Sequence, residues 1–404
     1  MTSDIRAPAA SRVTLKPRRA RPFFARHPWV FESSIEKIAG NPAAGDEVDV
    51  VSHEGQFIAR GLYNPGSTIR VRLYRWEEGP LDEQFWAGSI AAAARLRKEV
   101  LGLGGEQSAF RLVSSEGDGI SGLTVDCYDR WLVVQFTSLA LYQQREVFLR
   151  LLREATQAMG AILRTDRGVA QKEGLPSGEE SAFGELPEGP VTIVENGLTF
   201  RVDLRAGQKT GFYLDQRLNR LAAAGYCRGR EVLDLFCFTG GFSLNALRGG
   251  ASATLGVDGS ANAIELARQH AAINRLEGAQ FEVGDVMKVL DRLRTEGKRF
   301  GVVVCDPPKY AKNAGDVERA LKGYLKLNLA AIGVLEADGV LVTCSCSGLV
   351  GRELFADVLA SAAEQSGRMI QFLEQRGQPP DHPISASCLE TEYLKCMICR
   401  AGGW

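Results

Sequence analysis

The sequence lacks any apolar run long enough to cross a membrane, and it begins without the apolar core of a signal peptide. No stretch approaches the about 18 consecutive apolar residues that suggest a transmembrane helix, and the first ten residues are MTSDIRAPAA. An excess of charge of one sign is also missing, since 48 basic and 49 acidic side chains give a formal net charge of −1. We therefore expect a cytoplasmic protein with no membrane partner, and any charged partner has to be inferred from where charge is concentrated.

A disulfide framework is also absent. The nine cysteines are odd in number and mostly lie inside apolar runs, which favours reduced thiols. Cys396 and Cys399 have a spacing that can indicate a metal site, but they fall in a predicted strand. Residues three apart on a strand face opposite sides, so this pair chelates poorly. The sequence predicts no metal site.

The dinucleotide fingerprint G-x-G-x-x-G is missing, although a strand, a glycine turn and a helix follow one another. Val232, Leu233 and Leu235 form an apolar run too short for a helix, and a tight turn, Thr239-Gly240-Gly241, precedes a helical pattern over 242–247. The missing fingerprint disfavours NAD and FAD, whose pyrophosphate needs its spacing. Backbone N–H groups and a backbone face without Cβ can still receive a flat or charged ligand. S-adenosylmethionine, a nucleoside cofactor without phosphate, fits this turn better.

A second apolar run, over 253–257, ends in Asp258. An acidic side chain at the end of this strand, roughly 20 residues after the glycine turn, is placed to bind a ribose hydroxyl pair. The segment from Asp234 to Asp258 is therefore predicted to be the nucleoside-binding half of a doubly wound α/β domain. The alternative is that the glycines serve only the packing of helix on sheet.

Two further predicted strands end in residues with useful chemistry. The strand over 301–305 finishes in Asp306-Pro307-Pro308-Lys309, and the strand over 339–343 finishes in Cys344-Ser345-Cys346-Ser347. In an open parallel sheet ligands bind at the carboxyl ends of the strands. The paired prolines stiffen the first loop and hold Asp306 at a fixed angle, which suits a carboxylate that reads one edge of a planar base. The alternative is a purely structural turn.

Basic residues are concentrated near the start of the chain. Residues 12–26 contain six basic side chains and no acid, with aromatic residues interleaved or following, a pattern that suits phosphate neutralisation and base stacking. The alternation in TIRVRLY, residues 68–74, predicts a half-exposed strand with a basic outer face. The predicted RNA contacts in these segments are Arg18, Arg19, Arg21, Arg70 and Arg72. A solvated basic arm is the alternative.

The rest of the pattern predicts three domains. Short strands over 11–78 indicate a small β domain, and a β-β-α-β pattern over 85–185 indicates a small α+β middle domain. Residues 174–190 are predicted to be a loop or linker, and VTIVENGLTFRVDL is predicted to be a β-hairpin. Strands and helices then alternate to the end of 191–404, which predicts a Rossmann-like, doubly wound α/β domain.

Six motifs in the second half of the chain resemble, in order, those of the bacterial ribosomal RNA large-subunit methyltransferase I family. They are TGFYLDQR, DLFCFTGGFS, GVDGS, DPPKY, VTCSCS and DHPISASCLETEYLK. The phrases HPWVF, AGDEVDVV and ARGLYNP resemble those of a PUA domain, an RNA-binding pseudo-barrel. The resemblance implies a PUA-like N-terminal domain, a middle domain and a class I methyltransferase domain. It also implies S-adenosylmethionine-dependent methylation of cytosine C5 in 23S ribosomal RNA.

The resemblance implies roles for particular residues. Cys346 is implied as the thiol that adds to C6 of cytosine, and the alternatives are Cys344 as the nucleophile or a structural role for both cysteines. Asp306 is implied as the carboxylate that accepts from the cytosine amino group. Many relatives outside the family carry a second cysteine where this chain has Pro308 and Lys309, so product release must use another group. The implied cofactor contacts are Gln216, Asp234, Phe238, Thr239, Gly240, Asp258, Asp285 and Asp306; Arg217 resembles a further cofactor-site residue, and Lys309 is a further implied RNA contact.

The sequence is compatible with other interpretations. A methyltransferase that acts at C5 of uridine or at an exocyclic amine is one. Against an N6-adenine enzyme stands Lys309, which occupies the fourth place of the tetrad where those enzymes carry an aromatic residue. A non-catalytic RNA-assembly factor that binds S-adenosylmethionine is another reading. The base that takes the C5 proton is not identified, and a homodimer is possible.

Overall fold

The N-terminal sheet has six strands and is built from residues 11–75. The computed structural model describes residues 11–205, 211–311 and 313–403. The strands are β1 (Ser11–Leu15), β2 (Trp29–Phe31), β3 (Ile35–Ala39), β4 (Glu47–Val51), β5 (Phe57–Tyr63) and β6 (Ile69–Arg75), and a short helix, α1 (Arg21–Phe24), follows β1. Their order is β2-β6-β5-β4-β1-β3, with β1 and β4 parallel and the other pairs antiparallel. The predicted small β domain is confirmed.

Alternate side chains of these strands form the core of the N-terminal sheet. Val48 and Val50 of β4 and Val71 and Leu73 of β6 are almost fully buried in one cluster. Burying each such side chain stabilises the fold by about 1.5–3 kcal/mol. The same alternation was visible in the sequence, which is why the strands could be predicted there.

A second, five-stranded sheet follows, with helices along it. Its strands are β7 (Ala109–Ser114), β8 (Leu123–Tyr128), β9 (Trp131–Phe136), β10 (Gly160–Thr165) and β11 (Gly178–Gly184), in the order β11-β10-β9-β8-β7. The helices are α2 (Glu83–Arg95), α3 (Leu139–Gln143), α4 (Arg145–Thr156) and α5 (Arg167–Glu173). A single π-helical turn, Leu96–Val100, extends α2.

The prediction of a loop over 174–190 is wrong in part, because β11 lies inside it. The strand pairs antiparallel with β10 along its length. Its sequence, GEESAFG, has glycine at both ends and no apolar alternation, so the local pattern gave no strand signal. Pairing with a neighbouring strand decides its conformation, which is a tertiary effect.

The predicted hairpin is confirmed as β12 (Val191–Glu195) and β13 (Leu198–Val202). Asn196 and Gly197 both have positive φ, 52° and 73°. A two-residue hairpin turn needs this left-handed backbone at both positions, and Asn-Gly adopts it most readily.

The third sheet has seven strands and is the doubly wound sheet that the sequence predicted. Its strands are β14 (Glu231–Leu235), β15 (Ala253–Asp258), β16 (Ala279–Val283), β17 (Phe300–Cys305), β18 (Leu335–Ser345), β19 (Met369–Arg376) and β20 (Lys395–Gly402). The order is β16-β15-β14-β17-β18-β20-β19, and β20 runs antiparallel to both of its neighbours. The helices are α6 (Arg217–Ala224), α7 (Gly241–Arg248), α8 (Ala261–Ile273), α9 (Val286–Thr295), α10 (Val317–Ile332) and α11 (Arg352–Ser366).

Both faces of the seven-stranded sheet are buried. Val232 of β14 belongs to one apolar cluster, whereas Leu233 and Leu235 belong to another. A strand covered on both faces reads as a continuous apolar run, which is the pattern found in the sequence. The strand order reverses at β14, between β15 and β17, and the carboxyl ends of strands at such a switch point form the usual ligand crevice.

The chain divides into two compact units. The first contains the described parts of Met1–Ile193 and Val202–Leu214, together with Pro380–Thr391, and the second contains Val194–Arg201, Asp215–Pro379 and the described part of Glu392–Trp404. The segment Pro380–Thr391 thus belongs to the first unit, although it falls inside the range 191–404. The three domain boundaries given above remain a prediction.

Within the described ranges, none of the helices has the length and apolar character that crossing a membrane requires.

Candidate active site

A fully buried carboxylate lies under the glycine turn after β14. Asp234 Oδ2 accepts from the Ser243 N–H at 2.9 Å and from the Ser243 hydroxyl at 2.7 Å. Burial raises the pKa of Asp234 to about 7, the nearby Asp306 adds to the rise, and the bonds from Ser243 oppose it. Asp234 Oδ1 has no hydrogen-bond partner among the described residues. The carboxyl group is thus held in place through Oδ2, and Oδ1 can accept a hydrogen bond from a ligand.

Asp258, at the end of β15, fixes the backbone of the same turn. Its Oδ2 accepts from the Phe238 N–H at 3.0 Å, and its Oδ1 accepts from the Ser260 N–H at 2.9 Å. The side chain is half-buried. Two charge-assisted hydrogen bonds from backbone N–H groups hold the carboxylate rigidly at the strand end. Each oxygen retains a lone pair for a further donor.

The glycine turn is tightly packed. Gly240 has a φ of 83°, and a Cβ at this position would lie 3.0 Å from the Phe281 ring and 3.3 Å from Ala267 Cβ. The positive φ and the proximity of these side chains account for the glycine, and its role toward a cofactor remains a prediction. Phe238 also has a positive φ, 48°. Thr239 is buried, and its hydroxyl oxygen has no partner among the described residues.

His270 of α8 holds this turn and was missed in the sequence. Its Nε2 lies 3.0 Å from the Arg201 nitrogen and 3.1 Å from the Arg201 carbonyl oxygen, and its Nδ1 lies 3.0 Å from the Thr239 carbonyl oxygen. Burial lowers the pKa of His270, which keeps the ring neutral. A lone histidine in a helical pattern carries no local signal for such a contact.

Two of the predicted cofactor contacts have structural partners of their own. Asp285 is exposed and caps α9, since its Oδ1 accepts from the Lys288 N–H at 3.0 Å. Gln216 is buried, and its side-chain oxygen accepts from Asn219 Nδ2 at 2.7 Å. The structure thus assigns both side chains a fold-supporting contact, and their role toward a cofactor remains a prediction.

The two candidate cysteines lie in different surroundings. All nine cysteines fall in the described ranges, and Cys346 is half-buried while the other eight are buried. Cys344 pairs with Cys396 across β18 and β20 inside an apolar cluster, and their hydrogen bond together with burial raises the pKa of Cys344 well above its ordinary value. Cys346 lies just beyond the end of β18, with its Sγ 4.0 Å from the Pro307 carbonyl oxygen. Cys346 therefore lies against the loop over 306–310, called the DPP loop below.

A hydrogen-bond network joins the end of β18 to the DPP loop. The Ser345 hydroxyl donates to the Tyr324 hydroxyl at 3.0 Å, Ser347 Oγ lies 3.0 Å from the same oxygen, and Ser347 Oγ also accepts from the Ala311 N–H at 3.2 Å. All four of these residues are buried. The residues on either side of Cys346 are therefore fixed by Tyr324 of α10, which the sequence did not indicate.

The predicted RNA contacts divide into exposed and buried groups. Arg18, Arg19, Arg21 and Lys309 are exposed. Arg72 is 7% exposed, and its guanidinium donates to Ser121 Oγ at 3.0 Å and pairs with Glu116 and Glu173. The prediction of a basic outer face on β6 is therefore wrong for Arg72, since its charge is neutralised inside the fold. Arg70 is also largely covered and pairs with Glu32 at 2.7 Å.

Comparison with known proteins agrees with this arrangement. Residues 13–76 match a PUA-like domain, and residues 121–396 match the S-adenosylmethionine-dependent methyltransferase family. A crystal structure of a methyltransferase complexed with SAH superposes with a TM-score of 0.83 at 21% identity, covering 96% of this chain and 99% of that one. The protein is thus an S-adenosylmethionine-dependent methyltransferase with a PUA-like N-terminal domain.

Relatives that match this chain over nearly their whole length identify its family more closely. The chain is 40% identical to the ribosomal RNA large subunit methyltransferase I of Tolumonas auensis over 393 residues, which is 96% of this chain and 99% of the relative. It is 41% identical to the protein of the same name from Shewanella amazonensis over 392 residues, again 96% and 99%. The chain belongs to the ribosomal RNA large subunit methyltransferase I family.

The residues at the β14 turn fit S-adenosylmethionine. Asp234 Oδ1 and Thr239 Oγ1 are buried polar atoms without partners among the described residues, and an unpartnered group of this kind costs about 1–3 kcal/mol. The cofactor carries amino, hydroxyl and carboxyl groups that could pair with them. Asp258 presents lone pairs at the strand end, where a ribose is bound in such sheets.

Proposed function

We propose that the protein methylates C5 of cytosine in 23S ribosomal RNA through a covalent bond between Cys346 and C6 of the base. The observation that carries the proposal is the position of Cys346. It is the half-buried cysteine, it lies just beyond the end of β18, and its Sγ faces the Pro307 carbonyl of the DPP loop. A nucleophile at this point can meet a base held beside Asp306.

The substrate class rests on the relatives and on the N-terminal domain. The relatives are named for ribosomal RNA of the large subunit. The match to a PUA-like domain and the exposed Arg18, Arg19 and Arg21 support an RNA substrate, because basic side chains neutralise phosphates. A ribosomal RNA substrate also implies that the protein acts in the cytoplasm.

C5 of cytosine is a poor nucleophile toward a methyl group. The reaction therefore needs an enzyme thiol that first adds to the base and activates C5. Bound S-adenosylmethionine supplies an electrophilic methyl group on a sulfonium. Addition of the Cys346 thiolate to C6 forms a C–S bond and makes C5 enamine-like, so that C5 can take the methyl group while the sulfonium leaves as a neutral thioether. Loss of the C5 proton to a base then restores the C5–C6 double bond and releases the thiolate. C6 is covered by neighbouring bases in a stacked strand, so the cytosine must first be turned out.

The Asp306 carboxylate favours cytosine over uracil as the base that is methylated. A carboxylate accepts hydrogen bonds and can pair with the 4-amino group of cytosine, whereas uracil presents an oxygen at that position. The pyrrolidine rings of Pro307 and Pro308 restrict the backbone that follows Asp306. We therefore assign Asp306 to base recognition.

The cofactor contacts follow from the same strand ends. We assign the ribose to Asp258, whose carboxylate is held by two backbone N–H groups. Asp234 and Thr239 supply the unpartnered oxygens under the turn. Asp285 is assigned to the adenine amino group, with the oxygen that does not cap α9.

The decisive experiment is methylation of ribosomal RNA with methyl-labelled S-adenosylmethionine, followed by digestion to nucleosides. We expect labelled 5-methylcytidine. Labelled 5-methyluridine would contradict the role of Asp306, since the same thiol addition operates on uracil. A methylated exocyclic amine would contradict the covalent mechanism, and no transfer to RNA would favour an RNA-binding factor.

The covalent step has a test of its own. RNA with 5-fluorocytosine should form a stable adduct with the protein, because the proton needed for elimination is absent. Cys346→Ala should lose the adduct and methyl transfer while keeping cofactor affinity, and the matched control Cys344→Ala should retain most activity. An adduct that persists in Cys346→Ala and vanishes in Cys344→Ala would assign the nucleophile to Cys344.

A further inference from the structure

Lys395, the first residue of β20, is buried beside the candidate nucleophile. It pairs with Ser345, the residue before Cys346, across β18 and β20, and it is 1% exposed. Its ammonium donates to the Ser347 carbonyl at 2.7 Å and to the Tyr393 carbonyl at 2.8 Å. Lys395 thus hydrogen-bonds the residue after Cys346 through its side chain, and it pairs with the residue before Cys346 through the strand register. The sequence pattern around Lys395 predicts a strand and does not indicate this role.

A buried ammonium normally requires a carboxylate partner, because removing the charge from water is costly. Among the described residues, none of the carboxylate oxygens lies within 4.0 Å of Lys395 Nζ, and its two hydrogen bonds go to neutral carbonyls. Burial lowers the pKa of Lys395 to about 8, and the charge of Cys346 opposes that change. Held in place by carbonyls alone, the ammonium has hydrogen-bond partners but no counter-ion of its own.

The other charged groups around Lys395 do not provide that counter-ion. Glu392 pairs with Arg352 at 2.6 Å, so their charges offset one another. Lys309 is a cation and exposed. Tyr324, on the α10 side of Cys346, is kept neutral because burial raises its pKa. The charge of Cys346 acts on Lys395 more strongly than that of Glu392, so the thiolate of Cys346 is the negative charge that best complements the ammonium.

We propose that the Lys395 ammonium is the counter-ion of the Cys346 thiolate and holds the Cys346–Ser347 backbone in its reactive position. The proposal rests on the function proposed above in that it concerns the same nucleophile. When Cys346 loses its proton to solvent, the neighbouring ammonium of Lys395 stabilises the thiolate. Without it, only hydrogen bonds from water would stabilise that negative charge. Addition to C6 removes that negative charge, and elimination restores it, so Lys395 favours the thiolate both before attack and as leaving group. Lys395 is in this sense a positioning residue.

The test measures alkylation of Cys346 against pH in the full-length protein without RNA. Iodoacetamide reacts with the thiolate, so its rate follows the fraction of Cys346 that is deprotonated. Peptide mass spectrometry separates Cys346 from the eight buried cysteines. The informative variant is Lys395→Gln, whose amide can still donate to a carbonyl but carries no charge. Lys395→Arg keeps the charge, and Lys298→Met is the matched control because Lys298 precedes β17, at the end of the strand away from Asp306, and pairs with Glu231.

We expect the alkylation profile of Lys395→Gln to move at least one unit to higher pH, which is a rate about tenfold lower near neutral pH since the thiolate fraction changes tenfold per pH unit. Lys395→Arg should move far less, and Lys298→Met should superpose on the wild type. If Lys395→Gln binds S-adenosylmethionine normally and alkylates with the wild-type profile, the proposal is wrong. If it fails to fold, Lys395→Arg decides, because a folded Arg variant with a profile shifted as far as one unit would also overturn the proposal.

The outcome separates this proposal from the cytosine assignment. The alkylation assay contains no RNA, so it reports on the thiol and its counter-ion alone. A shifted profile together with methyl transfer that survives in Cys346→Ala would leave the ion pair in place and remove the covalent mechanism. An unshifted profile with an adduct that depends on Cys346 would do the reverse.

Discussion

At the scale of single residues, the β14 turn contains two buried polar atoms, Asp234 Oδ1 and Thr239 Oγ1, that lack hydrogen-bond partners among the described residues. Asp234 has one carboxylate oxygen bonded to Ser243 and the other without a partner among the described residues. A protein tolerates such groups mainly where a ligand completes them, because the desolvation cost is otherwise not recovered. The pattern is what the proposed cofactor role of this turn requires, in addition to its part in the fold.

Asp234→Asn should flatten the pH dependence of stability. Burial raises the pKa of Asp234 to about 7, so its contribution to stability is fully present below pH 4 and is lost as the pH rises through 7. Relative to Asp234→Asn, the wild type without cofactor should lose on the order of 2–4 kcal/mol between pH 4 and pH 7, since one pKa unit is about 1.4 kcal/mol. Denaturant unfolding of both proteins across this range measures it. Parallel curves would show that Asp234 titrates at its ordinary pKa.

Asp258→Ala should weaken cofactor binding by about 1–3 kcal/mol, the cost of a lost charge-assisted pair. The variant also frees the Phe238 and Ser260 N–H groups, so Asp258→Asn is the matched control that retains one acceptor. Titration calorimetry with S-adenosylmethionine gives the affinity, and circular dichroism checks the fold. Unchanged affinity in a folded Asp258→Ala protein would remove Asp258 from the site.

At the scale of elements, the strands could be predicted and the contacts that hold their ends could not. The apolar runs of β14, β15, β17 and β18 are continuous because both faces of the sheet are buried, so each strand end was visible in the sequence. The Tyr324 network, His270 and Lys395 depend on side chains from distant elements that meet only after folding. A pattern in one segment carries no information about such a partner.

The glycine turn gives a prediction for an element. Gly240→Ala should destabilise the fold by about 1–3 kcal/mol, because alanine is strained at a positive φ and its Cβ would press on Phe281. Gly259→Ala is a suitable control, since nothing lies within 4 Å of a Cβ there. Chemical denaturation measures both. Equal stability of the two variants would show that the turn can relax.

At the scale of the whole molecule, the net charge is close to zero although basic residues are concentrated near the N-terminus of the chain. The formal net charge is −1, yet Arg18, Arg19 and Arg21 are exposed together near α1. Charge patterning identified this arm correctly as basic, but it failed for Arg72, because alternation along a strand does not say which face another segment covers. A buried arginine with acidic partners and an exposed one have the same local sequence signature.

Reversing the charge of the basic arm, Arg18, Arg19 and Arg21, should change how RNA binding depends on the salt concentration. Contacts with phosphate release counterions, so the logarithm of the binding constant falls linearly with the logarithm of the salt concentration. Arg18→Glu, Arg19→Glu and Arg21→Glu together should lower affinity and flatten that slope by roughly two units, since each lost contact contributes about 0.7–0.9. Fluorescence anisotropy with ribosomal RNA fragments measures both. If slope and affinity are unchanged, the arm is only solvated.

The antiparallel strand β20 has a consequence for how the enzyme is made. It lies between β18 and β19, yet it follows both of them in the chain. As the polypeptide leaves the ribosome, β19 is therefore synthesised before the strand on which it will pair, and Lys395 emerges after the thiol that it is proposed to accompany. The nascent chain can assemble β14, β15 and β16 early, but Cys346 should acquire its folded surroundings only when β20 inserts.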